Sequence, residues 1–531
     1  MEISAIRSSQ VNLGRSFDAG LFSFSKNLGA KICNLKNNNP KTCCFIHNQS
    51  LKWPSKSAVG FTLRASAAAQ IADAVNSEKA PIISRTKHEV DGIKLFVGLP
   101  LDTVSKSNKI NRARAIAAGL KALKALGVNG VELPIWWGVA EREAMGKYEW
   151  TSYLAVVDMV QKLGLELHVS LCFHASEECG IRLPEWVSRI GEGDPDIYFS
   201  DRLGQQYKDC LSFAVGDIPV LDGKTPVQVY KEFCDDFKAT FSPFLGSTIT
   251  SVTIGLGPDG ELRYPSHHRL DKSIRGAGEF QCYDRYMLKN LKQHAETNGS
   301  PLWGLGGPHD APGDDLSPLS DGFFAENGGS WETPYGDFFL SWYSSQLLSH
   351  GDRILSLAAS TFKDAGITVS GRVPLVHSWH RTRSRPAELT AGFYNPAGRD
   401  GYDRVAEIFS RNACGMILPG MDLADEHQPA EIRSSPQALL EEITSSCREH
   451  GVTVSGQNSL PSGLSGGFDQ IKKTVLAANS SVAAFTYQRM GASFFTPEHF
   501  SPFAQFARCL NRPIRRSDDV ASKEGRDDEA F

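Results

Sequence analysis

SYLAVVDMVQKLG, residues 152–164, runs directly into LELHVSLCFH, residues 165–174. The first stretch reads as a helix and the second as a strand-like apolar run, with Gly164 near the joint. The same step recurs on both sides. Upstream, IKLFVGLPL (93–101) is followed by NRARAIAAGLKALKALG (111–127) and then VNGVELPIWWG (128–138). The middle segment puts Ile116, Leu120 and Leu123 on one helical face, with Gly127 as C-cap. Downstream, Thr225 and Pro226 read as N-cap and first helical residue of a segment carrying Phe233, Phe237 and Phe241.

Further strand-like runs are ITSVTIGLG (249–257), ITVSGRVPLVH (367–377), CGMILPGMD (414–422), GVTVSGQN (451–458) and VAAFTYQR (482–489). Helical patterns near 337–365, at 399–413, from Ser435-Pro436, at 467–478 and from Thr496-Pro497 separate or follow them. Eight strands with helices between them predict an α/β fold, a (β/α)8 TIM barrel with long loops at the C-terminal face of the strands. The stretch from about 265 to 335, rich in Gly, Pro and Trp, reads as an irregular loop region too long to be a passive connector.

The chain has 531 residues, 41% hydrophobic and 22% charged, so core material is ample. No run of about 18 apolar residues predicts a membrane span. Eleven scattered cysteines with no CxxC argue against a disulfide framework and for a reducing compartment. Residues 1–64 hold nine Lys and Arg against two acids, Glu2 and Asp18, and are rich in Ser and Asn. That pattern predicts a plastid or mitochondrial transit peptide. A linker to residue 90, a barrel over 91–512 and a charged tail over 513–531 follow. Without residues 1–64 the chain has 47 basic and 58 acidic residues, a formal charge of −11. Neither nucleic acid nor an anionic membrane suits that charge as a partner.

Barrel active sites lie at the C-terminal ends of the strands. Read in order, those ends offer His174, Glu261, His377, Asp422, the pair Gln457-Asn458, and Arg489. Trp136, Trp137, Tyr264 and Trp379 lie close by in sequence. Carboxylates, amides and aromatic faces suit sugar rings. GLGPDG (255–260) matches GxGxxG but leads into ELRYP with no helical pattern, so a dinucleotide site is rejected. His377 and His380, or the adjacent His267 and His268, make no convincing metal set. Neither cofactor nor metal is expected.

GLGPDGELRYPS (255–266), GEFQCYD (278–284), FFLSWYS (338–344), AELTAGFYN (387–395) and FTYQRM (485–490) closely resemble signatures of the β-amylases, glycoside hydrolase family 14. The resemblance spans roughly residues 93–510 and is strongest to the family's inactive plastid members. It implies a barrel that cuts maltose from the non-reducing ends of starch with inversion. Inversion needs two carboxyl groups, one to protonate the leaving oxygen and one to deprotonate water. The motif match puts the acid at Glu261. The family's G-E-N-A-L motif, which carries the base, reads GQNSL here, so Gln457 stands at the base position. An amide cannot take the proton, and losing a general base costs about 10²–10⁴ in rate.

Other departures agree. The family's lid H-x-C-G-G-N-V-G-D corresponds to HASEECGIRLPEW (174–186), which keeps His174 but is shorter. A glucose-binding Asp becomes Pro134, a Lys beside the acid becomes Arg372, and an inner-loop Thr becomes Pro419. Glu261, His377, Asn458 and Arg489 are retained. The expectation is a non-catalytic homologue in the plastid stroma. Its partner would be an α-1,4-glucan or maltooligosaccharide, or another starch-degrading protein. The open alternative is a weak maltohydrolase in which Asp422 or a water relay replaces the base.

Overall fold

The computed structural model describes residues 93–267, 276–313, 316–319, 322–459, 467–477 and 482–510. The expected transit peptide, linker and charged tail lie outside them. Eight parallel strands close into a barrel in the order β1-β10-β9-β8-β7-β6-β3-β2. They are β1 (Lys94–Gly98), β2 (Gly130–Trp136), β3 (Glu166–Cys172), β6 (Ile249–Ile254), β7 (Thr368–Arg372), β8 (Gly415–Leu418), β9 (Val454–Gln457) and β10 (Val482–Tyr487). A two-stranded antiparallel hairpin, β4 (Tyr198–Ser200) and β5 (Gln206–Leu211), is inserted between β3 and β6.

Register decides which side chains share a face. Glu132 pairs with His168 and Pro134 with Ser170; Ser170 pairs with Thr253, and Thr253 with Ser370. Paired residues of neighbouring strands point the same way, and alternate residues point oppositely. Glu132 on β2 bonds Arg372 on β7, a strand not adjacent to its own, so this set faces inward. The barrel interior is therefore markedly polar. The alternate set (Leu133, Ile135, Val169, Leu171, Val252, Ile254) is fully apolar, buried, and faces the helices.

The helices form as their patterns dictate. Ala113–Ala125 buries Ile116, Leu120 and Leu123, and Gly127 follows with φ 79. Pro226–Thr240 starts with a complete capping box: Thr225 accepts from the Gln228 N–H, and Gln228 reaches back to the Thr225 N–H. Phe233, Phe237 and Phe241 from that region pack around Trp150.

Two expectations need correction. The stretch 265–335 is not wholly irregular, because it holds a helix over Arg285–Thr297. Asp284 caps it by accepting from the Tyr286 and Met287 N–H groups, and Met287, Leu291 and Ala295, four apart, are its buried face. The fifth barrel strand ends at Arg372 and not at His377. Pro374, which has no N–H, lies just beyond it.

Candidate functional site

The floor of the cleft is built around Glu132, in mid-strand on β2 and 5% exposed. Its Oε1 accepts from the Ser170 hydroxyl at 2.6 Å and from Arg372 Nη2. Its Oε2 accepts from Gln488 Nε2 and, at 3.4 Å, from Gln457 Nε2. A carboxylate has about four lone-pair positions, and these four donors fill them. Burial alone would push the Glu132 carboxyl up. The Arg372 and Arg489 guanidiniums, with the Ser170 and Gln488 donors, outweigh burial and hold it below the usual carboxylate range.

Gln457, the residue at the base position, thus turns its amide onto a carboxylate in the barrel floor. It is itself buried, and its backbone carbonyl accepts from the Met421 N–H at 3.1 Å. Asn458 is occupied too: its Nδ2 donates to the Gln488 carbonyl at 2.8 Å, and its Oδ1 accepts from the Gln488 N–H at 2.7 Å. That clasp fixes the backbone just ahead of Arg489, whose Nη1 donates to the Leu99 carbonyl at 2.9 Å.

Glu261 follows a tight turn over Pro258–Gly260. Arg263 Nε donates to its Oε2 at 2.9 Å and also pairs with Asp259. The net effect on the Glu261 carboxyl is upward: burial raises it, Arg263 opposes, and Asp259 adds to the rise. A carboxyl that favours its protonated form suits a proton donor. Gly260, with φ 79, leaves room that a Cβ would take from His174, 3.1 Å away at Cε1. Arg372 Nη1 is 3.6 Å from the same point. Two buried nitrogens, His174 Nδ1 and Arg372 Nε, have no hydrogen-bond partner. Buried polar groups rarely stay unpaired, so both are incompletely satisfied.

His377 places Nδ1 2.6 Å from the Ser434 hydroxyl, and burial holds it down to about 4, hence neutral at pH 7. His174 is likewise lowered to about 4 by burial, with its ring edge-on to Trp136. Asp422 accepts from the Ser459 N–H at 2.7 Å. Pro134 lies in β2 opposite Ser170, whose hydroxyl turns down to Glu132. Pro419 precedes Gly420, which has φ 82 and would bring a Cβ within 2.5 Å of Leu375.

The segment after His174 is a closed hairpin. Ser176 and Ile181 exchange backbone hydrogen bonds at 2.7 and 3.0 Å around a four-residue turn, and the Ala175 N–H is tied to the Asp209 carbonyl. Such a turn has little length with which to swing over a ligand. The expected aromatic surroundings are not an open platform. Trp137 packs among Phe173, Trp186 and Tyr230, and Tyr264 stacks on Tyr343 at 3.9 Å. Trp379 is buried with its Nε1 on the Gly276 carbonyl. Of the four, Trp136 alone meets a candidate residue, and it too is buried.

Sequence reasoning missed Glu132, Ser170 and Gln488. The signal was present: Glu132 stands two residues before Pro134, so both belong to one face of the strand. Among the described residues, no cluster of His, Cys, Asp or Glu is arranged to hold a metal, and no helix is long and apolar enough to cross a membrane. The eight cysteines in the described residues are free.

Comparison with known proteins adds a consistent set of matches. The family model for glycosyl hydrolase family 14 matches residues 96–512. The chain is 53% identical, over 98% of its length and 96% of the relative's, to "Inactive beta-amylase 9" of Arabidopsis thaliana. It is 39% identical, over 83% of its length and 81% of the relative's, to "Beta-amylase 2, chloroplastic" of Oryza sativa subsp. japonica. Among solved structures, the catalytic domain of β-amylase from Paenibacillus polymyxa superposes with a TM-score of 0.66 at 25% identity. That match covers 80% of this chain and all of the bacterial domain.

Proposed function

The chain belongs to glycosyl hydrolase family 14, and from that premise we propose that it is a catalytically inactive β-amylase homologue that holds α-1,4-glucan chains in plastids without cutting them. The observation that carries this reading is the Gln457 amide, which stands at the base position and donates to Glu132. Glu261 could still protonate a leaving oxygen. No carboxylate faces it from β9 to deprotonate water, and inversion needs both. The short hairpin after His174 has little length with which to close over a bound sugar and exclude water from it.

The relative named inactive, at 53% identity over nearly the full chain, supports the loss of catalysis. The word chloroplastic in the rice relative's name, with the acid-poor N-terminal segment, supports a plastid location, and we place the protein in the stroma. Glucan binding draws support from membership of a family whose named relatives are β-amylases. A weak maltohydrolase using Asp422, whose Oδ1 accepts from the Ser459 N–H, is the second reading, and the product assay below decides it.

The test is a product assay beside a titration. Residues 65–531 should release no β-maltose from soluble starch above background. In calorimetry the same protein should bind maltotriose. Turnover within tenfold of an active relative would overturn the inactive reading, and absence of any binding heat would overturn the glucan-holding one.

A further inference from the structure

The geometry points to Glu132 as the residue that sets how tightly the cleft takes a glucan, by holding the Arg372 guanidinium on the barrel floor and away from the ligand. Arg372 borders the turn that presents Glu261: the Leu262 N–H bonds the Arg372 carbonyl at 2.9 Å, and its Nη1 lies beside Gly260. One of its terminal nitrogens, Nη2, is fully used from below, donating to Glu132 Oε1 and to the Ser170 hydroxyl at 3.1 Å. Its Nε is buried with no partner. A guanidinium fixed at one nitrogen and orphaned at another is anchored by its strongest bond and incompletely satisfied elsewhere.

Glu132 gathers four donors from three other strands and the loop after β10, so it cannot release Arg372 alone. Arg489 and His168 also face it electrostatically, and Arg489 is further influenced by Glu178 and Cys179 from the hairpin after His174. With the charge at 132 removed, Arg372 loses its counter-charge and can turn a charged donor to a sugar hydroxyl. Glutamine at 132 can keep its carbonyl toward the Gln488 and Gln457 donors while its amide nitrogen faces the Ser170 hydroxyl, which can accept, so the remaining network is least disturbed. Glu132 is a positioning residue on this view. The inference rests on the glucan-holding reading for its choice of ligand.

The experiment is calorimetric titration of maltotriose into four proteins: native, Glu132→Gln, Arg372→Met and the double variant. The expected result is that Glu132→Gln binds about tenfold more tightly than native, the low end of one hydrogen bond to a charged donor. Arg372→Met is the reference for the double variant, because it removes the guanidinium in both backgrounds. In the double variant the gain should vanish. A merely structural role for Glu132 would give no gain and no dependence on Arg372. Glu132→Asp, which keeps the charge, should give a smaller gain than Glu132→Gln and serves if the latter fails to melt cooperatively.

Unchanged or weaker binding by folded Glu132→Gln overturns the inference while leaving the glucan-holding reading intact. A native protein that does not bind beside a Glu132→Gln variant that does overturns the glucan-holding reading and supports the inference. If none of the proteins binds, both fall.

Discussion

Restoring a carboxylate at position 457 is the obvious attempt to revive the enzyme, and the structure says why Gln457→Glu should fail. The amide nitrogen of Gln457 lies 3.4 Å from Glu132 Oε2. An oxygen put there places two carboxylates at that separation. Two like charges at this distance repel by about 5 kcal/mol at an effective dielectric constant of 20. Arg372 and Arg489 offset part of it. A net cost of roughly 3 kcal/mol corresponds to about two units of upward shift on the introduced carboxyl, which takes it from near 4.3 to between 6 and 7. A carboxyl whose folded pKa exceeds its unfolded value costs nothing below the unfolded value. It destabilises progressively from the unfolded value up to the folded one and is constant above. The variant should therefore trail native by about 1 kcal/mol at pH 5 and by the full amount from about pH 7. With about 2 cal/mol/K of unfolding entropy per residue over some 400 ordered residues, 3 kcal/mol is about 3–4 °C in Tm. Maltose release from starch should stay at background, because near neutral pH the new group is partly protonated and its ionised form is drawn to the floor arginines. The assays are thermal melts at pH 5, 6, 7 and 8 and chromatographic detection of β-maltose. A Tm difference that does not change with pH, or readily measured β-maltose, refutes the reasoning.

Three other outcomes are expected. Glu141 is buried, with its carboxylate accepting from Trp137 Nε1 at 2.6 Å and from the Gly146 N–H, and burial pushes it up to about 7. Its ionised form is therefore penalised: native stability should fall between about pH 4.5 and 7, by up to about 3 kcal/mol, and level off above, and Glu141→Gln should flatten that slope in pH-dependent melts. Thr225→Ala removes one half of the capping box and should cost about 1 kcal/mol in chemical denaturation, with no effect on maltotriose binding. A fluorescent fusion to residues 1–64 should enter plastids, and cytosolic fluorescence would count against the targeting assignment.

The fold was legible because each barrel strand is short, apolar on its outward face and bounded by a helix with a readable start or stop, as at Thr225-Pro226 and Gly127. What escaped was marked by weaker signals. The helix Arg285–Thr297 rests on three apolar residues among charged ones, and its cap, Asp284, sits at the end of a motif that reads as a family signature. The hairpin of β4 and β5 needs the pairing of Tyr198 with Leu211 and Phe199 with Tyr207 across a shifted register, which no alternation in QYKDCL announces.

For the site, the identity of Gln457 could be read from its motif, but its partner could not. Reading strand ends finds residues that face a ligand. Glu132 sits in mid-strand, in a run that looks like the apolar filling of an ordinary barrel. Only the register of β2 against β3, and the reach of Arg372 from across the barrel, show that it faces inward and what it meets. Two arginines, Arg372 and Arg489, bring positive charge to one buried floor and require a counter-charge there. A carboxylate can supply it from position 132 or from position 457, and the 3.4 Å between those side chains makes ionising both at once costly. In this chain the charge stands on Glu132. Gln457 is then more than a missing base: as an amide it can donate to that carboxylate, a role its acidic counterpart could fill only by staying protonated and therefore unable to act as a base.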